Sequence, residues 1–482
     1  MASIVSNGAS QFPSLDMETC RLDRRQLLAA LPLLIAFPTG VNATQQAGVD
    51  GAAFEALGQY CGVYRLSNSR AIGINRFITD GGRGVLFFAD YSTSLVRPLF
   101  QVDVDRFAMG PPGGGETPVL LALNFKRDSQ GSVCSVIRKG PAGIQDEARR
   151  SAGSDEEVRF TQGGASLAGT LALPSGTGPH PAIILLHGSG PLTRHSFGPY
   201  PRFFASLGFA VLTYDKRGTG ASNGRRLDAS TGAPETLSPS YYPDDLLADA
   251  RAAHRYLSGR PEIDRGRIGF WGSSEGGMLA TQAAAAEPST AFAINSSGFM
   301  GPLWETLYYQ GGALMRSRGA SEADIAEADT FNSFWMNVAR TGHGYDEFIR
   351  RRAELLRAGK ASSLYYVSDE YRSLAQMRWS WRHILAFDST KALRMVRCPV
   401  LGIFGEADVL TDAKQASAAM RRALTAGGDK QLTTRIIPNA THSLMATNRE
   451  GMAPGVFDLL TRWLEENARS APQILTNSQS DR

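Results

Sequence analysis

The sequence predicts an α/β protein: a mainly parallel, eight-stranded sheet interrupted by a block of helices, preceded by a smaller antiparallel β domain. Three observations carry this. Residues 267–286 read as strand, sharp turn and helix. Unbroken apolar runs at 181–186 and 399–404 suit strands covered on both faces. Strand-like and helix-like stretches alternate from about residue 156 to 468.

The central stretch is Arg267-Ile268-Gly269-Phe270-Trp271-Gly272-Ser273-Ser274-Glu275-Gly276-Gly277, followed by Met278-Leu279-Ala280 and an alanine-rich run. Apolar and small residues alternate into a buried strand, glycines force a turn, and alanine favours the helix that follows. Within it, Gly272-Ser273-Ser274-Glu275-Gly276 matches G-x-S-x-G, the turn that exposes a serine hydroxyl above a sheet. Ser274 is therefore the candidate nucleophile. The Glu275 amide, at the positive end of the helix, is a candidate oxyanion donor. A second match, Gly220-Ala221-Ser222-Asn223-Gly224, runs into Arg225-Arg226-Leu227-Asp228 with no apolar helix behind it, so context selects Ser274.

A chain of 482 residues is long enough for two or three domains. Its 43% hydrophobic and 20% charged residues are those of a globular protein. A net charge of +4, without a Lys/Arg run on a predicted helix, points away from nucleic acid. The four cysteines form no C-x-x-C pair and lie at no metal-ligand spacing from histidine, so no metal or other cofactor is expected. Cys61 and Cys134 flank one β-rich segment and could pair in an oxidising compartment; spacing alone leaves that open.

Taken in order, residues 1–43 read as a leader. Arg24-Arg25 precedes an apolar run over 27–37 and a small-residue site at Val41-Asn42-Ala43. That run is too short to span a bilayer but suits a cleaved signal, and the segment resembles a twin-arginine export signal. Export to a bacterial periplasm, with no stable membrane span, is the expectation. Residues 52–145 offer short apolar runs divided by breakers at Gly81-Gly82 and Pro111-Pro112-Gly113-Gly114-Gly115, hence an antiparallel β domain. It carries no catalytic constellation; substrate recruitment and steric shielding are the two roles open to it, and shielding is the expected one. Charged residues 145–155 read as a linker.

The catalytic region, 156–468, opens with a hairpin about Gly163-Gly164 and then the strand at 181–186. His187-Gly188-Ser189-Gly190-Pro191 follows. A helix at 203–207, a strand at 210–214, the loop Asp215-Lys216-Arg217-Gly218-Thr219-Gly220 and a helix at 242–257 lead to the elbow. His187 precedes the serine and reads as a loop-packing residue, as does His254 on its helix. A strand at 291–295 comes next.

His187-Gly188-Ser189-Gly190-Pro191, Asp215-Lys216-Arg217-Gly218 and Gly272-Ser273-Ser274-Glu275-Gly276-Gly277 together resemble the α/β-hydrolase superfamily, in particular its bacterial carboxylesterase and serine-aminopeptidase-like branch. The resemblance implies that the loop after the third strand supplies the other oxyanion N–H, with Ser189 first and Gly190 second. It also implies a helical cap inserted after the sixth strand, at 300–392, where helix-like stretches replace the strand-helix rhythm. Trp304, Trp335, Trp379 and Trp381 lie there, either lining an acyl pocket or holding the cap together. After the seventh strand, Gly405-Glu406-Ala407-Asp408 places Asp408 at the family's acid position, with Glu406 as the rival. After the eighth, Asn439-Ala440-Thr441-His442 supplies the base and completes the order Ser, Asp, His.

The expectation is a cofactor-free serine hydrolase that cleaves carboxylic esters through an acyl-enzyme. A serine aminopeptidase or amidase on short peptides is the enzymatic rival, with Glu305, Glu322 or Glu327 receiving an α-amine. A non-catalytic binding protein on the same scaffold is the rival from another class.

Overall fold

The computed structural model describes residues 51–78, 83–111, 117–140, 143, 145–224, 243–360, 363–364, 373–428 and 431–468. The leader and the glycines at 81–82 and 113–115 lie outside them.

A short helix, α1 (Gly51–Ala56), and a 3-10 turn (Leu57–Tyr60) precede eight antiparallel strands that close into a barrel. These are β1 (Gly62–Arg65), β2 (Ala71–Ile78), β3 (Gly84–Asp90), β4 (Leu95–Asp103), β5 (Arg106–Met109), β6 (Leu121–Arg127), β7 (Val133–Lys139) and β8 (Gln145–Arg150). The expected linker at 145–155 is a correction: β8 lies in it and seals the barrel by pairing with both β7 and β1. In Gln-Asp-Glu-Ala-Arg-Arg only Ala148 is buried, so the strand has almost no apolar signature. Cys61 and Cys134 are free thiols, the first buried and the second exposed.

Period-two alternation explains the apolar run in β3. Leu86 and Phe88 point into the barrel, with Phe107, Leu123 and Val136. Val85, Phe87 and Ala89 face the other way, into a core shared with the second domain. Asp90, buried at the end of β3, ties that strand to Arg138 on β7 (3.0 Å) and to Arg70 (2.9 Å). Burial pushes its carboxyl pKa up, but bonds from Ser92 and Arg138 and the Arg70 charge outweigh it, and the net shift is downward. A lowered pKa adds stability above the unfolded value of about 3.9 and loses it as pH falls through the folded value. Asp90→Asn is therefore expected to cost on the order of 3 kcal/mol near neutrality. Its gap from wild type should narrow in melts below about pH 4; a pH-independent gap would contradict this.

The second domain is an eight-stranded mixed sheet in the order β16-β15-β14-β13-β11-β12-β10-β9. The hairpin β9 (Ser154–Gln162) and β10 (Ala165–Leu173) turns at Gly163 and Gly164, both at positive φ, and joins the sheet antiparallel to β12. The remaining pairs are parallel: β11 (His180–Leu186), β12 (Ala210–Tyr214), β13 (Ile263–Ser273), β14 (Ala293–Ser296), β15 (Val400–Gly405) and β16 (Leu432–Ile437). Helices α2 (Tyr200–Ser206), α3 (Pro243–Ser258) and α4 (Glu275–Ala286) connect the first four of these strands.

Between β14 and β15 stand α5 (Leu303–Ser317), α6 (Glu322–Thr341), α7 (Tyr345–Arg357), α8 (Leu374–Ala386) and the single turn α9 (Thr390–Leu393). Trp335 and Trp381 meet edge to face at 4.7 Å inside this helical block, among Phe331, Met336, Phe348 and Met377. These two tryptophans hold the block together. Trp304 is half-buried beneath the Arg340 guanidinium, and the side chain of Trp379 lies outside the described residues. Helix α10 (Ala413–Ala426) precedes β16, and α11 (Val456–Asn467) is the last element among the described residues. The amphipathic pattern of the sequence predicts a closing helix over Met452 to Glu465, but the helix begins four residues later, because 444–453 is a hydrogen-bonded loop and Gly455, at φ 83°, starts the helix.

One face of the sheet packs on α3, α4 and α10. The other packs on α2 and α11, and the barrel closes over those helices through Tyr91, Val96 and the outward residues of β3. Polar contacts lock the junction: Asn75 Nδ2 donates to Gly198 O (3.0 Å) and Tyr91 Oη to Pro199 O (3.0 Å). Arg97 donates to the carbonyls of Arg449 (2.9 Å) and Glu450 (3.1 Å), while Met452 N donates to Ser94 O (2.9 Å).

Candidate active site

The carboxyl ends of β13, β14, β15 and β16 lie side by side, in register Ser273 with Ser296, Ser296 with Ile403, and Gly405 with Ile437. Ser274 follows β13 at φ 59°, ψ −124°, a backbone conformation that a residue bearing Cβ holds only under strain. Close packing imposes it. A Cβ on Gly272 would stand 2.0 Å from Gly276 O, and one on Gly276 would stand 2.1 Å from Leu186 O. Only glycine fits either position. Ser274 N donates to Ser296 O (2.9 Å), which seats the elbow on β14.

The candidate acid follows β15. Asp408 is buried, and its Oδ1 accepts two backbone bonds, from Leu410 N (2.7 Å) and Thr411 N (2.9 Å). Its Oδ2 meets His442 Nδ1 at 2.8 Å. The loops bearing them approach too closely for any side chain at Gly405, where a Cβ would lie 2.3 Å from Thr441 O. Thr411 Oγ1 donates to Ser297 O (2.9 Å), so the acid loop is also tied to the end of β14. Glu406, the rival acid, accepts from Asn439 N (3.1 Å) at the surface instead.

His442 is buried, and its Nε2 has no hydrogen-bond partner. Asp408 and His442 are thus in contact, whereas Ser274 shares the same sheet edge without a hydrogen bond from Oγ to Nε2. Long or absent bonds at this step are common in unliganded active sites.

Ser189 is exposed in the loop after β11, next to Gly188, whose Cβ would touch Ser274 Cβ at 3.4 Å. Glu275 is the first residue of α4, where backbone N–H groups lack intrahelical acceptors. Its carboxylate is buried and paired with Lys216 Nζ at 2.6 Å. The role of Lys216 is not evident from sequence, although the residue lies in the recognised Asp215-Lys216-Arg217-Gly218 loop. The neighbouring Arg217 pairs with buried Asp249, and Asp215 Oδ1 accepts from Arg194 N (2.8 Å). Tyr309 of α5, also without a distinguishing pattern, donates its hydroxyl to Asp408 O (2.8 Å) and joins the helical block to the acid loop.

The other candidates are structural. His187 stacks on Phe197 at 4.2 Å and bonds to Tyr214 O; burial drives its pKa down to about 3. His254 packs on Phe270, and burial lowers its pKa too. Ser222, from the second G-x-S-x-G match, is buried and bridges Ala168 N (2.9 Å) and Asp215 O (2.8 Å). Among the described residues no group of three His, Cys, Asp or Glu could hold a metal, and no helix is long and apolar enough to cross a membrane.

A doubly connected sheet with a strained serine elbow and an Asp–His pair at its carboxyl edge defines the α/β-hydrolase superfamily, to which this chain belongs. Within it, residues 129–443, well over half of the chain, match the X-Pro dipeptidyl-peptidase (S15) family, and the protein is a member of that family. It is 30% identical over 155 residues to the esterase FrsA of Klebsiella pneumoniae, a match covering 32% of this chain and 34% of that protein. An uncharacterised Mycobacterium tuberculosis protein is 32% identical over 145 residues, 30% of this chain and 46% of its own. The chain therefore spans only a third to a half of these relatives. Among solved structures, the acylaminoacyl peptidase of Pyrococcus horikoshii is 16% identical with a TM-score of 0.43, covering 85% of this chain and 57% of its own.

Proposed function

We propose that the protein is a serine hydrolase that cleaves carboxylic esters through an acyl-enzyme. The observation that carries this is the buried Asp408–His442 hydrogen bond, which leaves Nε2 unpartnered at the sheet edge that bears the strained Ser274. Ser274 Oγ attacks the carbonyl carbon and loses its proton to His442 Nε2. Asp408 fixes the ring with Nδ1 protonated and stabilises the imidazolium. The Glu275 and Ser189 amides receive the oxyanion. The imidazolium protonates the departing alcohol, and water then repeats the sequence to release the acid. No metal or organic cofactor enters these steps.

The likeness to an esterase supports the ester reading. Membership of a dipeptidyl-peptidase family favours the second reading, cleavage of short peptides. Against that, two of the cap acids suggested for an α-amine are committed elsewhere, Glu322 to Arg316 and Glu327 to Lys360. In a panel of p-nitrophenyl esters and aminoacyl or dipeptidyl p-nitroanilides, the esters are expected to give the higher kcat/KM; preference for the anilides would transfer the assignment to peptides. A folded protein that a fluorophosphonate does not label would instead be a binding module. We further propose that residues 1–43 direct export to a bacterial periplasm, with small esters as substrates.

A further inference from the structure

We propose that Lys216 is a positioning residue that aims both oxyanion donors of the site. This rests on the serine-hydrolase reading above. The Lys216 ammonium reaches two acceptors at once: Gly188 O at 3.0 Å and Glu275 Oε2 at 2.6 Å. The Gly188 carbonyl and the Ser189 N–H belong to one planar peptide unit, and in a trans peptide they point in opposite directions. Pinning the carbonyl therefore aims the amide. The second acceptor belongs to the residue whose own backbone N–H is the other donor, at the start of α4. One cation thus spans the two halves of the oxyanion hole, from the loop after β11 to the elbow.

Its backbone strengthens the link, because Lys216 N donates to Leu192 O (3.2 Å) and fastens the far end of the same loop. Both partners of the ion pair are buried, with side-chain exposures of 5% and 6%. A buried ion pair is poor evidence for stability, since desolvation offsets the attraction. Position is the better reason for keeping it. Lys216 also neutralises a carboxylate that would otherwise oppose negative charge on the substrate oxygen.

The test compares wild type with K216M, E275Q and K216M/E275Q, using fluorophosphonate titration of active sites, kcat and KM on a p-nitrophenyl ester, and thermal melts. K216M is expected to lower kcat per titrated site by about 10²-fold, the scale of losing an oxyanion donor, while KM changes by less than about threefold. The double variant buries no unpaired charge and should regain thermal stability without regaining kcat. If the cation served stability alone, the double variant would recover kcat, and that result would overturn the inference. Should K216M fail to fold, the double variant decides by itself. Wild-type protein unlabelled at Ser274 would remove the hydrolase reading together with this one, whereas labelled wild type and an undiminished K216M would remove this one alone.

Discussion

Replacing Ser274 by alanine is expected to lower kcat on a p-nitrophenyl ester by about 10⁴- to 10⁶-fold, leaving only the rate that binding and the oxyanion donors provide. The loss should fall on kcat, because the hydroxyl forms a bond in the transition state and contributes little to ground-state binding. Fluorophosphonate labelling should vanish in parallel. Glycine at the same position gives a second readout. The backbone at Ser274 is held at φ 59°, ψ −124° by packing of Gly272 and Gly276, and a residue without Cβ adopts such a conformation at little cost. Ser274→Gly should therefore be as inactive as the alanine variant, with a melting temperature at or above that of wild type. Retained turnover in either variant would exclude Ser274 as the nucleophile.

Asp408→Asn is expected to cost about 10⁴-fold in kcat with little change in folding. The geometry dictates which way the new amide faces. Two backbone N–H groups, of Leu410 and Thr411, point at Oδ1 and require an oxygen there, so the amide nitrogen must occupy the Oδ2 position beside His442. An N–H directed at Nδ1 makes that atom an acceptor and moves the ring proton to Nε2. The base then has no lone pair for the serine proton. A pH–rate profile run alongside should show the loss across the whole working range, unlike a simple shift in a titration midpoint. Activity within about tenfold of wild type would assign the acid to another residue, with Glu406 the first to test.

Where chemistry demands particular residues at short spacing, the sequence was legible. The elbow is written in five consecutive residues because glycines and a small neighbour are what the close approaches to Leu186 and Gly276 permit. Asp408 follows the apolar strand β15 and His442 follows β16, whose last two residues are isoleucines, and chain order paired them. What escaped was set by partners distant in sequence. The strand β8 carries a single buried residue and exists because a barrel had an edge to close. The short α1 has one buried side chain, Phe54. Lys216 acquires its role only where the loop after β11 and the first turn of α4 come within reach of one ammonium. The Asp408 loop, in turn, owes its tie to Tyr309 to helices inserted about a hundred residues earlier.

The segment just beyond His442 is gripped by the amino-terminal barrel: Arg97 holds the Arg449 and Glu450 carbonyls, Ser94 O receives Met452 N, and a Cβ on Gly451 would lie 2.2 Å from Ser94 O. Inside that segment, Thr441 N is bonded to Met445 O and Ala453 N to Leu444 O, so the grip is passed back toward the imidazole. The barrel is consequently less a detachable vestibule than a keystone. Its removal is expected to unseat the His442 imidazole, the proposed base, while every proposed catalytic side chain stays in the chain.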